Sequence, residues 1–171
     1  MHMEPYYLKL APTSTIVELL SHTCIRDDNW VDLRKTGGTL VKKTPHKAII
    51  EQDLFLREHV LPRTPQGQWE TVAHIFLMEP YTHYTMHTDS NRGCSINLLI
   101  NPEAASVCYF KSSEETKFMH SICELKYQAN TYYLFNSGEP HAITNLGQRR
   151  YLLSLTLARR WEDHRDLAEC L

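Results

Sequence analysis

The sequence carries little net charge and no long hydrophobic run. Its 171 residues have a formal net charge of -2, so we expect no nucleic-acid partner held by a basic surface. No apolar run approaches the roughly 20 residues that a membrane-spanning helix needs, so we expect no membrane partner. The first residues also lack the charged-then-apolar pattern of a secretory signal. With 42% hydrophobic and 22% charged residues, the composition is that of a globular chain.

The cysteines show no pairing pattern. The five cysteines are an odd number at no metal-like spacing, which excludes a disulfide framework or a cysteine-based zinc site as the expected organisation. This pattern fits the reduced thiols of a cytoplasmic protein better than a disulfide framework. No repeat or low-complexity tract divides the chain, so we expect one domain over residues 1–171. The sequence gives no indication of the oligomeric state.

Two parts of the chain differ in pattern. Residues 1–68 hold the helix candidates, a capped segment after Thr13 and a second segment over 47–61, and we expect them to form a support region packed outside the core. From residue 69 the pattern is that of short strands separated by turn residues. The expected strands cover 69–79, 83–89, 94–100, 106–111, 121–127, 131–135, 141–145 and 149–158. This predicts a mainly β fold, a cupin-like jelly roll or double-stranded β-helix, with the catalytic core in 69–159.

The most informative motif is His87-Thr88-Asp89, followed 52 residues after Asp89 by His141 and nine residues later by Arg150. On an extended strand, residues His87 and Asp89 point to the same side. Two histidines and one carboxylate form the ligand set of non-haem Fe(II) oxygenases and leave one face of the metal open. H-x-D alone is a common tripeptide, but the order, the strand context and the following arginine favour a metal site. Arg150 would supply a planar cation suited to a carboxylate.

With these residues in place, the chain resembles the Fe(II)/2-oxoglutarate-dependent oxygenases. The resemblance covers about residues 70–158 and rests on MHTDSNRGCSINLLIN, YLFNSGEPHAITN and RRYLLSL. It is most similar to the branch that holds prolyl and aspartyl/asparaginyl hydroxylases. The resemblance implies a jelly-roll core, Fe(II) held by His87, Asp89 and His141, and 2-oxoglutarate and O2 as co-substrates. It also implies that Arg150 binds the distal carboxylate of 2-oxoglutarate.

The chain departs from that family at one position. Several hydroxylases of this type contact the distal carboxylate through a tyrosine on the strand after H-x-D, where this chain has Leu99. Ser95 and Asn97 share the strand face of Leu99, so we expect one of them to be the polar partner. Arg149 adjoins Arg150 but points to the opposite face. Arg150 is favoured because it has the same strand parity as Ser154, which could donate a further hydrogen bond to 2-oxoglutarate.

The leading hypothesis is a dioxygenase that hydroxylates an amino-acid side chain, free or within a peptide, and releases succinate and CO2. One alternative is a cupin-like metal-dependent dioxygenase or isomerase without 2-oxoglutarate, against which Arg150 argues. Another is a non-catalytic jelly-roll binding module, against which the intact metal motif argues. Two further residues leave alternatives open. His83 is either a substrate contact or a strand-edge histidine, and Arg92 either binds an anionic substrate group or is a solvated turn arginine.

Overall fold

A computed structural model describes residues 6–13, 16–26, 29–32, 41–65, 67, 69–90, 92–101, 106–111, 122–157 and 166–169. In these residues the chain forms two antiparallel sheets, which confirms the predicted jelly roll. The predicted cap residues after Thr13 lie outside the described residues. No helix in the described part of the chain is both long and apolar enough to cross a bilayer.

The described residues form eleven strands. In chain order they are β1 (Tyr7–Pro12), β2 (Val31–Asp32), β3 (Val41–Lys43), β4 (Ala73–Met78), β5 (Thr82–His87), β6 (Cys94–Leu99), β7 (Ser106–Lys111), β8 (Ile122–Leu125), β9 (Thr131–Phe135), β10 (His141–Asn145) and β11 (Arg150–Leu157). The larger sheet has the order β1-β9-β6-β11-β4-β3-β2, and the smaller sheet has the order β5-β10-β7-β8. Seven of the eight strands expected after residue 69 lie within a residue or two of their predicted bounds.

The helical segments are short. They are α1 (Ile16–Leu20), which continues as a π-helical turn (Ser21–Ile25), α2 (Lys47–Ile50), a π-helical turn (Leu56–Val60) with a 3-10 turn (Leu61–Arg63), α3 (Trp69–Val72) and α4 (Asp166–Glu169). The helix expected over 47–61 therefore begins as predicted but is interrupted. Asp53 explains the break, because its carboxylate accepts a hydrogen bond from the Leu56 backbone N–H at 2.9 Å and from the Thr13 hydroxyl at 2.8 Å. A side chain that caps the next helical segment ends the preceding one.

The main hydrophobic core lies between the larger sheet and the N-terminal helical segments. Ile16, Leu20, Ile50 and Leu56 pack there with the outward-facing residues of β4, β6 and β11. The opposite face of the same strands looks toward the smaller sheet, so β6 is buried on both faces. Its sequence still alternates, with Cys94, Ile96 and Leu98 in this core and the polar Ser95 and Asn97 on the opposite face.

The expectation for residues 69–79 was wrong at its first four positions, and three strands were not predicted. Trp69–Val72 is helical, and the indole Nε1 of Trp69 donates to the Pro45 carbonyl at 2.7 Å. The strand begins only at Ala73. In the N-terminal part, β1 pairs with β9, and β3 pairs with β4. Residues 1–68 therefore contribute strands to the larger sheet as well as the helices that cover it.

A bulge interrupts the pairing of β5 with β10. His141 faces His87, whereas Ile143 faces Tyr84. Two residues of β5, Thr85 and Met86, therefore lie opposite one residue of β10. An extra residue reverses the side-chain alternation beyond it, so Tyr84 and His87 face the same side despite their odd spacing.

Asn145 fixes the end of β10 to the start of β11. Its buried side-chain N–H groups donate to the carbonyls of Met78, Glu79 and Gln148 at 3.2, 3.0 and 2.8 Å, and its Oδ1 accepts from the Gly147 N–H at 3.4 Å. One side chain thus holds two turns together, immediately before Arg150.

We predict that Asn145→Ala lowers the free energy of unfolding by about 1–3 kcal/mol, because buried carbonyls lose their donors. Leu146→Ser is the matched control, since Leu146 is exposed in the same turn. Urea unfolding of both variants measures the difference. Equal midpoints for wild type and Asn145→Ala would contradict this role.

Candidate active site

A cavity of about 280 Å³ lies between the two sheets. Its floor is the inward face of β11, where Arg150, Leu152, Ser154 and Thr156 follow one another at every second residue. Side chains of both sheets, polar as well as apolar, form the remaining walls. This alternation is why one strand supplies polar groups along the whole cavity while its other face packs in the core.

His87, Asp89 and His141 meet at this cavity. One potential ligand atom from each lies within 4.8 Å of the other two, and the two imidazole centroids are 4.3 Å apart. His87 ends β5 and His141 begins β10, so the cross-strand pairing brings them together. Asp89 lies just beyond the strand, where its backbone N–H donates to the Ser137 carbonyl at 2.9 Å.

Backbone carbonyls orient both imidazoles. His87 Nδ1 is 2.8 Å from the Thr85 carbonyl, and His141 Nδ1 is 2.9 Å from the Glu139 carbonyl. A carbonyl only accepts, so each Nδ1 carries the proton and each Nε2 keeps its lone pair. This is the arrangement by which a second contact fixes a metal-binding histidine.

Burial keeps His141 neutral. The side chain is 3% exposed, and desolvation lowers its pKa to about 4, assisted by His87 and opposed by the Glu139 carbonyl and Asp89. A neutral imidazole is the form that binds a metal. At neutral pH His141 is therefore ready to act as a ligand without first losing a proton.

Arg92 holds one oxygen of the Asp89 carboxylate. Arg92 Nε donates to Asp89 Oδ2 at 2.6 Å, while Asp89 Oδ1 lies 3.6 Å from His87 Nε2. The same guanidinium donates to the Ser154 hydroxyl at 3.2 Å. Arg92 is thus part of the site and is not a solvated turn residue. Its contact leaves one carboxylate oxygen directed toward the histidines.

Arg150 and Arg149 lie in different surroundings. Arg150 is 3% exposed and lines the cavity, and its Nε donates to the Ser106 hydroxyl at 3.0 Å. Its guanidinium lies 5.6 Å from the Tyr127 ring centroid, and burial lowers its pKa. Among the described residues, no carboxylate forms an ion pair with it. Arg149 is exposed and pairs with Glu79 at 3.0 Å.

Only some of the other residues predicted to contact the co-substrate reach the cavity. Asn97 and Ser154 line the cavity, whereas Ser95 and Leu99 do not belong to its lining. Ser95 is buried behind Asn97 and donates to its Oδ1 at 3.1 Å. Asn97 Nδ2 in turn donates to the Tyr127 hydroxyl at 3.2 Å. Ser95 therefore orients Asn97 and does not itself reach the cavity.

Tyr127 was not identified from the sequence. It follows β8 and enters the cavity beside Arg150, and burial raises the pKa of its phenol. Tyr127 thus places an aromatic ring with a hydroxyl near Arg150, although β6 has Leu99 at the position where several hydroxylases have a tyrosine. The residue lies outside any strand, so no alternation pattern could have indicated its direction.

Two further histidines on the consecutive strands β4 and β5, His74 and His83, lie in different surroundings. His83 is exposed and contacts the Thr144 hydroxyl at 2.9 Å, because the bulge in β5 turns it away from the side of His87. His74 is 7% exposed, lines the cavity and lies 3.1 Å from Lys42 Nζ through its Nε2. Burial, then Lys42 and Arg92, lower its pKa to about 4.

Comparison with known proteins finds similarity in structure alone. No family model matches this chain, and no curated protein matches it in sequence. Among solved structures, a Pseudomonas putida prolyl-4-hydroxylase has a TM-score of 0.65 at 19% identity, covering 90% of this chain and 92% of that chain. HygX from Streptomyces hygroscopicus, with nickel, 2-oxoglutarate and hygromycin B bound, has a TM-score of 0.60 at 12% identity, covering 91% and 83%.

A third structure is a prolyl hydroxylase from Trichoplax adhaerens in complex with a peptide fragment of the hypoxia inducible factor oxygen degradation domain. Its TM-score is 0.58 at 11% identity, and the match covers 96% of this chain and 87% of that chain. At these identities the likeness establishes the fold. The chain thus has the jelly-roll fold of 2-oxoglutarate oxygenases over nearly its whole length.

We predict that His87→Ala and His141→Ala remove most Fe(II) affinity and leave the fold intact. Loss of a direct ligand should weaken binding by more than the roughly 10- to 100-fold that loss of an outer contact costs. His83→Ala is the control, because that histidine faces away from the site. Metal titration and circular dichroism report the two effects. Full metal occupancy in both triad variants would disprove the assignment.

A second prediction concerns pH and the metal-free protein. The folded pKa of His74 lies near 4 and its unfolded value near 6.5, so between these values only the unfolded state is protonated. Stability is therefore complete above about pH 6.5 and falls toward pH 4 by up to about 1.4 kcal/mol per unit; His141 contributes in the same direction. When urea unfolding is measured at pH 7 and at pH 4.5, the free energy of unfolding should fall by about 2 kcal/mol less in His74→Gln than in wild type. Parallel profiles for the two proteins would refute this.

Proposed function

We propose that this protein is an Fe(II)- and 2-oxoglutarate-dependent dioxygenase that hydroxylates an amino-acid side chain. The observation that carries the proposal is a single cavity containing both a two-histidine, one-carboxylate cluster and the buried Arg150 without a carboxylate partner among the described residues. The fold shared with oxygenases of this kind supports it by analogy. A cytoplasmic location stays a prediction.

The donor set fits Fe(II). Nε2 of His87, Nε2 of His141 and Oδ1 of Asp89 would hold the ion, since the Nδ1 atoms and Asp89 Oδ2 are already engaged. Two imidazoles and one carboxylate leave open coordination positions. When bound, Fe(II) and 2-oxoglutarate supply the activation of O2, with release of succinate and CO2 and insertion of one oxygen atom into a substrate C–H bond.

Arg150 supports a dicarboxylate co-substrate. A buried cation without a counter-ion is costly, whereas a bound carboxylate would both neutralise it and accept its hydrogen bonds. Nε donates to Ser106 and the side chain also forms a hydrogen bond with Tyr127, which leaves further N–H groups of the guanidinium for the ligand. A cupin-like metal enzyme that does not use 2-oxoglutarate would have no need for this cation.

The remaining cavity residues orient the site and enclose it. Asn97 and Tyr127 form a hydrogen-bonded pair beside Arg150, which fixes the wall against which a co-substrate would lie. Arg92 holds Asp89 in one orientation. The side chains of Phe76, Phe135 and Ile143 line the cavity with apolar surface and limit water near the reacting atoms.

The substrate class follows from size and analogy. A cavity of about 280 Å³ is at the small end for ligand sites and must hold both 2-oxoglutarate and the reacting group. An amino-acid side chain fits that space, either free or at the end of a peptide segment. One neighbour in fold is a prolyl hydroxylase bound to a peptide.

We expect purified protein with Fe(II) under air to convert 2-oxoglutarate to succinate, and candidate amino acids or peptides to gain the mass of one oxygen. Succinate is measured with and without substrate. Metal-dependent turnover without succinate would favour the cupin-like alternative. Metal binding with no turnover in the presence of any substrate would favour a binding module.

A further prediction separates Arg150 from Arg149. Arg150→Met should abolish the thermal stabilisation that 2-oxoglutarate gives the metal-loaded protein, because losing a buried charge-assisted contact costs about 2–5 kcal/mol or roughly 30-fold or more in affinity. The same variant should not destabilise the metal-free protein, since it removes a buried unpaired charge. Arg149→Met is the matched control and should keep the response to 2-oxoglutarate. A larger defect in Arg149→Met would reverse the assignment.

A further inference from the structure

The cavity has a second cationic end that 2-oxoglutarate does not account for. We propose that Lys42, together with Arg92, binds a carboxylate of the substrate. This inference rests on the proposed function and adds to it a chemical class of substrate, an amino-acid unit that carries a carboxylate.

Lys42 faces a neutral partner. It lies on β3, lines the cavity, and its Nζ is 3.1 Å from His74 Nε2. An ammonium group only donates, so His74 accepts through Nε2. In the part of the chain that the structure describes, no carboxylate forms an ion pair with Lys42. Among these residues its positive charge therefore lies at the cavity without a counter-ion.

The charges around the cavity do not balance. The charged side chains that line it among the described residues are Lys42, Arg92, Arg150 and Asp89, which leaves two positive charges in excess. The charges of Fe(II) and of the 2-oxoglutarate dianion would cancel each other and leave this excess in place. Partly buried charges of one sign favour a ligand of the other sign.

The second cationic end is separated from Arg150 along the floor of the cavity. Ser154 pairs with His74 across β11 and β4, and its hydroxyl accepts from Arg92. Ser154 lies four residues from Arg150 on one strand, which corresponds to about 13 Å. A carboxylate held by Arg150 is therefore too far away to satisfy Lys42 as well.

The carboxylate has two possible sources. It is either the side chain of an acidic residue within a peptide or the α-carboxylate of a free amino acid. Both present the same group to an ammonium and a guanidinium. Neutral amides have nearly the same shape and lack the charge, so they serve as matched probes.

The test is calorimetric titration of anaerobic protein loaded with Fe(II) and 2-oxoglutarate. One arm compares capped tripeptides Gly-Asp-Gly and Gly-Glu-Gly with their Asn and Gln counterparts. The other arm compares free L-proline and L-leucine with their carboxamides. We expect the carboxylate probes of at least one arm to bind at least about tenfold more tightly than the amides. The arm that shows this difference identifies the source.

Variants of Lys42 test the residue itself. Lys42→Gln should weaken binding of the carboxylate probe about 10- to 100-fold, because a hydrogen bond to a charged group is lost, and Lys42→Arg should keep most of it. Lys47→Gln makes the same change of charge at an exposed position and should bind like wild type.

The inference is overturned if neither arm prefers the carboxylate in wild-type protein, or if Lys42→Gln binds like Lys47→Gln. The wild-type preference does not depend on any variant folding. Succinate release by wild-type protein is measured separately and reports on the proposed function. Normal release without a carboxylate preference would reject the substrate class alone, and absence of release would reject the oxygenase.

Discussion

The pairing of β5 with β10 is the constraint on which the candidate site depends. It places His87 opposite His141, and the bulge at Thr85 and Met86 decides which side chains of β5 face inward. The same local backbone supplies the Thr85 carbonyl that fixes the His87 tautomer. A one-residue change of register would turn His87 away from His141. The metal site is thus a consequence of strand pairing and not of the tripeptide alone.

The second feature of the cavity is its positive charge. Arg150 is buried beside the Ser106 hydroxyl and the Tyr127 ring, with no carboxylate partner among the described residues, and Lys42 faces the neutral His74. The protein holds these cations in place through the packing of the surrounding strands. Such an arrangement reduces stability without ligand and increases affinity for anions. Anion binding and folding stability are therefore coupled at Arg150. Replacing this side chain can be followed in both quantities.

Most of the β core and the residues of the cavity floor could be predicted from the sequence, because alternation and turn residues are local signals. The same signals failed where tertiary context decides. Trp69–Val72 precedes the apolar residues of β4 but is helical. His83 would face the same side as His87 only on a strand without a bulge. Ser95 has the correct parity but lies behind Asn97. Tyr127 enters from a segment without periodicity, so only the fold could place it beside Arg150.

In the proposed enzyme, one cavity holds both a metal on His87, Asp89 and His141 and a 2-oxo acid beside it. The most direct test is an anaerobic titration of the Fe(II)-loaded protein with 2-oxoglutarate, followed by visible absorption. Chelation of Fe(II) by a 2-oxo acid produces a charge-transfer band. We predict that the band develops to a one-to-one stoichiometry in wild-type protein and is absent in His141→Ala. No band in wild-type protein, or an unchanged band in His141→Ala, would contradict it.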